Sequence, residues 1–79
     1  MSTKPDIRPM EDIKICFGRR LRELRIEKGW SQETLANIAE IDRTYISGIE
    51  SGRRKVSIEV IWKLSIAFEI NISQLFANL

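Results

Sequence analysis

The sequence predicts an all-α fold, a compact five-helix bundle that forms one small domain. Apolar residues recur at helical spacing and nowhere alternate strictly over the length of a β-strand. Four short apolar segments each follow a Ser, Asp or Asn that can cap a helix N-terminus. Because 79 residues leave room for only one core, these segments must pack against one another.

The first predicted helix spans residues 12 to about 28, and Gly29 follows it in the place of a left-handed C-terminal residue. Its apolar positions are Ile13, Cys16, Phe17, Leu21 and Leu24. Residues 1–11 contain both prolines of the chain and show no apolar period. They are therefore predicted to form a flexible arm ahead of a domain that covers residues 12–79.

Two short helices come next and are joined by a tight turn. Ser31 is placed to cap a helix over residues 32–39. Asp42 is placed to cap a helix over residues 43–51. The apolar residues expected to face the core here are Leu35, Ala36, Ile38, Ile46 and Ile49. Two short helices separated by three or four residues form a helix-turn-helix arrangement.

Two further helices complete the predicted bundle. Ser57 can cap a fourth helix over residues 58–68. Its core stripe is expected at Ile58, Ile61, Leu64 and Phe68. Asn71 can cap a short fifth helix from residue 72 to about 78.

The composition excludes several classes of protein. The chain has no histidine and a single cysteine, Cys16, which removes zinc fingers, disulfide frameworks, His-based catalytic triads and His-ligated metals. An enzyme would need Cys16 or Tyr45 as a lone nucleophile, so no catalytic activity, cofactor, metal or small-molecule ligand is expected. Cys16 is instead expected to be a small buried apolar residue. No apolar run approaches the roughly 20 residues that cross a bilayer, which predicts a soluble cytoplasmic protein with no membrane partner.

The positive charge is unevenly distributed. The formal net charge is +2, and residues 1–30 carry eight cations against five anions. Arg53, Arg54 and Lys55 form a consecutive basic triplet. Taken alone, this basic triplet fits a solvated loop slightly better than a phosphate-binding segment.

The chain resembles a known family. It is similar to the lambda-repressor and Cro-like (XRE-type) helix-turn-helix domains over residues 17–76, in the stretch FGRRLRELRIEKGWSQETLANIAEIDRTYISGIESGRR and in the following segment SIEVIWKLSIAFEINISQLF. Residues 42–50, DRTYISGIE, most resemble the recognition segment of the controller proteins of restriction-modification systems. The resemblance implies a sequence-specific transcriptional regulator that binds double-stranded DNA, with the controller of a restriction-modification operon as the leading subtype. A symmetric homodimer would place two recognition helices on a pseudo-palindromic operator.

The resemblance places the third helix in the major groove, with its N-terminal residues toward the base edges. The candidates for base reading are Arg43, Thr44, Tyr45, Ser47 and Gly48. Arg43 can donate twice to guanine, and the Thr44 methyl can contact a thymine methyl. Tyr45 fits two roles equally, a DNA contact through its hydroxyl or a cover over the helix pair. Gly48 costs about 1 kcal/mol of helix propensity relative to alanine, which indicates a close approach to its backbone by DNA.

Six residues are candidates for phosphate contacts: Ser31, Gln32, Arg53, Arg54, Lys55 and Ser57. Gln32 lies at the N-terminus of the second helix, where free backbone amides favour anions. The basic triplet follows the recognition helix, so in this family the phosphate role becomes the favoured one. The resemblance also implies that Arg54 and Ser57 approach DNA. Whether Arg54 contacts bases or only phosphates stays open.

A structural role is expected for Glu50, which could otherwise be mistaken for a catalytic acid. The resemblance implies an internal ion pair between Glu50 and Arg25, on the third and first helices. Glu40 and Glu69 depart from the family pattern, because they lie where the family usually has glycine. A left-handed backbone at a residue other than glycine costs about 1–2 kcal/mol.

The last two helices are expected to carry a dimer interface. Trp62 and Ile66 lie beside the core stripe of the fourth helix, at positions where related domains often carry polar groups. The expected interface residues are Trp62, Ile66, Ile70, Ile72, Phe76 and Leu79. The alternative is that these apolar residues pack into one large core within a single chain. A rival function is a protein-interaction module of the same fold, such as an antitoxin or anti-repressor, with the Trp62 surface against its partner.

Overall fold

The computed structural model of the chain describes residues 10–77 and residue 79. Every regular element in this part of the chain is an α-helix, which confirms the predicted five-helix all-α fold. The helices are α1 (Met10–Glu27), α2 (Gln32–Ala39), α3 (Arg43–Glu50), α4 (Ile58–Phe68) and α5 (Ile72–Leu75). None of them combines the length and apolar character that crossing a bilayer requires.

The boundaries differ from expectation at both ends of the domain. α1 begins at Met10, two residues ahead of its predicted start, and α5 ends at Leu75 rather than near residue 78. Residues 1–9, which make up most of the predicted arm, lie outside the described residues, as does Asn78.

The four helices after α1 begin where the sequence offers a capping side chain. The Ser31 and Ser57 hydroxyls accept hydrogen bonds from the backbone amides of Thr34 and Val60, and the Asp42 carboxylate accepts one from Thr44. These contacts satisfy amides that the helix itself leaves unpaired. At α5, Asn71 and Gln74 bond each other's backbone amides in a capping box. The local sequence therefore fixes where these helices begin.

One apolar core lies between the five helices. Its most deeply buried side chains are Phe17, Leu21, Leu35, Ile46, Ile49, Leu64, Phe68 and Leu75. α3 packs against α1 and α2, α2 also packs against α4, and α4 packs against α5. This arrangement leaves the opposite side of α3 free of the bundle.

Several residues predicted to face the core do not. Ile38 and Ile58 are exposed, and Ala39 and Val60 are buried in their helices instead. The buried stripe of α4 runs through Val60, Leu64 and Phe68, at i, i+4 and i+8, with Ser65 beside it. Leu64 and Phe68 are therefore core residues as predicted, and Val60 takes the place expected for Ile58. Ile13, also predicted to be a core residue, is exposed, and Cys16 is only half-buried.

α1 and α3 touch through their backbones. A Cβ atom at Gly18 of α1 would overlap the carbonyl oxygen of Ile49 and lie 2.8 Å from that of Glu50. A side chain at position 18 would therefore force the two helices apart, so Gly18 sets the distance between α1 and α3.

α5 is attached to α1 by an arginine and an aromatic pair. Arg20 donates hydrogen bonds to the carbonyl oxygens of Gln74 (2.8 Å) and Leu75 (3.3 Å). The rings of Phe17 and Phe76 lie with centroids 5.1 Å apart. With only four residues, α5 is too short to be stable alone, so these contacts hold it in place.

The left-handed turns expected from the family pattern are present at both glutamates. Glu40 (φ 57°) ends α2 and Glu69 (φ 58°) ends α4, each in the left-handed region. Both side chains are exposed, so burial of the side chain does not offset the free-energy cost of the left-handed conformation.

We expect Glu69→Gly to raise the free energy of unfolding by about 0.5–1 kcal/mol, because relief of the left-handed strain exceeds the added chain entropy of glycine. Urea or thermal denaturation measures the change. Glu59→Gly is the matched control, since Glu59 is exposed within α4, and should lower the stability by about 1 kcal/mol. A Glu69→Gly protein no more stable than the parent would contradict the account of strain.

Candidate nucleic-acid interface

The N-terminal turn of α3 is on the outside of the bundle. Arg43 and Thr44 are exposed and Ser47 is half-buried, whereas Ile46 and Ile49 on the other side are buried. The first turn contains no acidic residue, and the carboxylate of the preceding Asp42 caps the helix. The outer face of α3 therefore presents a guanidinium, hydroxyls and a methyl group to solvent, the groups that can contact base edges in a major groove.

The basic triplet is held against the C-terminal half of α3. The carbonyl oxygen of Gly48 accepts hydrogen bonds from the backbone amides of Arg53 (3.0 Å) and Arg54 (3.2 Å). The Tyr45 hydroxyl donates to the carbonyl oxygen of Lys55 at 2.9 Å. All three cationic side chains are exposed. Positive charge is thus fixed beside the exposed face of α3 rather than carried on an independent loop.

Tyr45 and Gly48 both lie under Arg54. The Arg54 guanidinium carbon is 5.4 Å from the centroid of the half-buried Tyr45 ring. Gly48 is buried, and a Cβ atom there would overlap the Arg54 side chain. This differs from the expectation that DNA approaches the Gly48 backbone, because the close neighbour of Gly48 is Arg54.

Gln32 is engaged inside the protein. Its side-chain amide donates to Glu50 Oε1 at 3.1 Å, and the residue is half-buried. The side chain expected at a phosphate therefore ties α2 to α3 in this structure. Ser31 and Ser57 are exposed at the N-termini of α2 and α4, where their hydroxyls cap the helices.

A buried ion pair joins α1 to α3, as the family resemblance implies. Arg25 donates from Nε to Glu50 Oε2 (2.6 Å) and from Nη2 to Oε1 (3.0 Å), with the two side chains 11% and 4% exposed. Arg25 Nη1 also donates to the Trp30 carbonyl oxygen. Glu50 is therefore saturated by structural hydrogen bonds, in the two-pronged geometry that arginine forms with carboxylates.

The ion pair also acts on the guanidinium itself. Its hydrogen bond to Glu50 raises the pKa of Arg25 above the ordinary value, against the opposing effect of burial. A raised pKa of a base stabilises the fold at every pH below its unfolded value, and the effect is lost only as the pH rises through the folded value. The contribution of Arg25 to the stability of the fold is therefore constant across the neutral pH range.

Apolar side chains are exposed along one line of α4. Ile58, Trp62 and Ile66, spaced four residues apart, are 74%, 59% and 56% exposed, and we call them the α4 strip. Ile72 at the start of α5 is also exposed. The other expected interface residues, Ile70, Phe76 and Leu79, are half-buried and pack on the core.

Comparison with known proteins agrees with this geometry. The sequence matches the helix-turn-helix family over residues 21–75, which include all of α2, α3 and α4. The chain belongs to the helix-turn-helix family. The family resemblance drawn from the sequence is thereby confirmed.

The relatives of this helix-turn-helix protein include controller proteins. The control protein C.MunI of a Mycoplasma species is 46% identical over 71 residues, which are 89% of this chain and 96% of that protein. The crystal structure of the restriction-modification controller protein C.AhdI from Aeromonas hydrophila superposes with a TM-score of 0.80 at 49% identity, over 82% of this chain and 98% of the other. The C.Esp1396I controller tetramer, crystallised in complex with its natural 35-base-pair operator, gives a TM-score of 0.75 at 33% identity over 81% and 84% of the two chains.

Sequence reasoning missed three features of this helix-turn-helix protein. Ile58 belongs to the exposed α4 strip, and its spacing from Trp62 and Ile66 could have shown it. Gly18 makes the contact between α1 and α3, for which a glycine inside a helical pattern was the only indication. The bond from Gln32 to Glu50 had no signal in the sequence, because it depends on where α2 lies relative to α3.

We expect Arg25→Ala to lower the free energy of unfolding by about 3–5 kcal/mol, because it leaves the Glu50 carboxylate buried and unpaired. Chemical denaturation measures the loss. Arg22→Ala is the matched control, since Arg22 is exposed on the same helix, and should change the stability by no more than about 0.5 kcal/mol. Equal effects of the two substitutions would show that the ion pair has no structural role.

Proposed function

We propose that this protein is the controller protein of a restriction-modification operon, a transcriptional regulator that binds a pseudo-palindromic DNA operator as a homodimer in the cytoplasm. The observation that carries the proposal is the exposed N-terminal turn of α3 with the basic triplet fixed beside it. The similarity to controller proteins, among them one crystallised with its operator, supports the same function.

Base reading is assigned to the exposed side of α3. Arg43 has the two donors that match O6 and N7 of guanine, and Thr44 offers its methyl group to thymine. Ser47 follows one turn later on the same side. The helix enters the major groove by its N-terminal turn, as recognition helices of this class do.

Phosphate binding is assigned to the residues around that helix. Arg53, Arg54 and Lys55 are exposed and their backbone is fixed to α3, so they can lie along the strand that flanks the groove. For Arg54, a contact with a base edge is the alternative to a phosphate contact. At the N-terminus of α2, the backbone amide of Gln32 and the Ser31 hydroxyl can contact a phosphate oxygen while the Gln32 side chain stays on Glu50. Ser57 can do the same at the start of α4.

The dimer surface is assigned to the α4 strip together with Ile72 of α5. An exposed tryptophan and three exposed isoleucines leave an apolar surface that a second copy would bury. Ile70, Phe76 and Leu79 are half-buried and pack on the core, so only their exposed parts can contribute to this surface. To read two successive major grooves, a dimer formed through this surface must hold its recognition helices about 34 Å apart, one turn of the duplex.

Two groups that an enzyme could use in catalysis, the Glu50 carboxylate and the Tyr45 hydroxyl, have structural roles instead. The Glu50 carboxylate is bound by Arg25 and Gln32, and the Tyr45 hydroxyl donates to the backbone of Lys55. Both groups hold helices and loop in place, so we assign them to the scaffold of the DNA-binding surface and propose no catalytic activity.

We expect Arg43→Ala to weaken binding to the operator by about 1–3 kcal/mol and to reduce the preference for operator over random duplex, because a base contact is lost. Arg53→Ala should weaken binding to both duplexes alike and lower the slope of log affinity against log salt by about 1. Fluorescence anisotropy with the duplex selected by the protein from a random pool, and with a scrambled duplex, measures both effects.

Two results would overturn this assignment. Equal losses on selected and scrambled duplex for Arg43→Ala would remove Arg43 as a base reader. A wild-type protein that selects no duplex, and whose binding to a protein partner is insensitive to salt, would favour the protein-interaction module instead, because only DNA binding releases counterions.

We expect Trp62→Asp to convert the dimer to a monomer and to weaken operator binding by at least about tenfold, because a charge replaces the centre of the apolar surface. Sedimentation equilibrium gives the oligomeric state and circular dichroism checks the fold. Ile26→Asp is the matched control, because Ile26 is exposed on α1 away from the assigned interface. A Trp62→Asp protein that remains dimeric would show that the interface lies elsewhere.

A further inference from the structure

We propose that Gly48 is a positioning residue for Arg54: its missing side chain lets the Arg54 stem cross α3, so that the guanidinium lies along the helix toward the base-reading turn. The proposal rests on the proposed function for its DNA readout. Its structural part concerns only the packing of one side chain on one helix.

The first observation is the space above Gly48. A Cβ atom at Gly48 would overlap Arg54 Cγ and lie 3.4 Å from both Cβ and Nε of the same side chain. The nearest atoms are thus all those of Arg54. Glycine inside a helix lowers its stability relative to alanine, so its presence within the eight-residue α3 calls for a reason, and the crossing of Arg54 supplies one.

The second observation is the direction in which the side chain runs. The Arg54 stem lies over Gly48, and its guanidinium carbon lies 5.4 Å from the Tyr45 ring centroid. Tyr45 precedes Gly48 by three residues, about one helical turn. Arg54 therefore runs from the C-terminal half of α3 toward the turn that carries Arg43, and the aromatic face of Tyr45 attracts its charge.

The third observation is that the backbone on both sides of this side chain is fixed. The Arg54 amide donates to the Gly48 carbonyl oxygen, and the Lys55 carbonyl oxygen accepts from the Tyr45 hydroxyl. An arginine normally loses much rotamer freedom when it binds a ligand. Here the backbone is already fixed and the stem packs over Gly48 and Tyr45, so part of that ordering precedes DNA binding, which favours affinity.

These contacts make Arg54 part of the reading surface of α3, although it lies outside the helix in sequence. Gly48 need not touch DNA for this role, since it acts through Arg54. An added methyl group at position 48 must displace the arginine stem, which moves the guanidinium away from the Tyr45 ring.

The test compares Gly48→Ala in three backgrounds: wild type, Arg54→Ala and, as the matched control, Arg53→Ala. The probes are the duplex that the wild-type protein selects from a random pool and a scrambled duplex. We expect Gly48→Ala to weaken binding to the selected duplex about tenfold, and to reduce the preference for it, in the wild-type and Arg53→Ala backgrounds. In the Arg54→Ala background the same substitution should change affinity by less than about twofold, because the displaced stem is already gone.

Thermal unfolding of the same proteins tests the packing without DNA. Gly48→Ala should raise the Tm when it is combined with Arg54→Ala, since alanine favours a helix, and should lower the Tm in the wild-type background. Equal losses of affinity in all three backgrounds, or a Tm raised equally in all three, would overturn the proposal. A wild-type protein that selects no duplex would refute the proposed function, and the Tm comparison would still decide whether Gly48 accommodates Arg54.

Discussion

The buried ion pair between Arg25 and Glu50 fixes the position of α3, and the surface that we propose to bind DNA depends on that position. It joins α1 to α3 by two hydrogen bonds, and Gln32 adds α2 to the same carboxylate. Gly18 lets the backbones of α1 and α3 meet beside it. Three helices thus meet at one carboxylate, and removal of either charged partner would leave the other charge buried and unpaired.

The exposed features of α3 follow from what is fixed inside. With Ile46 and Ile49 in the core and Glu50 held by Arg25, only the opposite face of the helix is available, and Arg43 and Thr44 lie there. The same helix then organises the chain that follows it, since the Gly48 carbonyl receives the backbone of the basic triplet. The exposed face of α3 and the basic triplet therefore form one continuous surface.

The sequence was sufficient to predict the features that depend only on residues close together in the chain. Ser31, Asp42, Ser57 and Asn71 mark the helix starts because a cap needs only its own next three residues. The family resemblance added Arg25 with Glu50 and the left-handed turn at Glu40. Features that depend on how helices are rotated or placed were not predictable: Ile38 faces outward because α2 turns Ala39 inward, and the neighbour of Gly48 is a side chain from the following loop.

The attachment of α5 to Arg20 has a consequence for the order of folding. The carbonyl oxygens of Gln74 and Leu75 accept from a donor on α1 that lies 54 and 55 residues earlier in the sequence. Closing so long a loop costs chain entropy before the contact stabilises anything, so α5 is ordered only once α1 is in place. The two ends of the domain are therefore formed together, and loosening of α1 would release α5 as well.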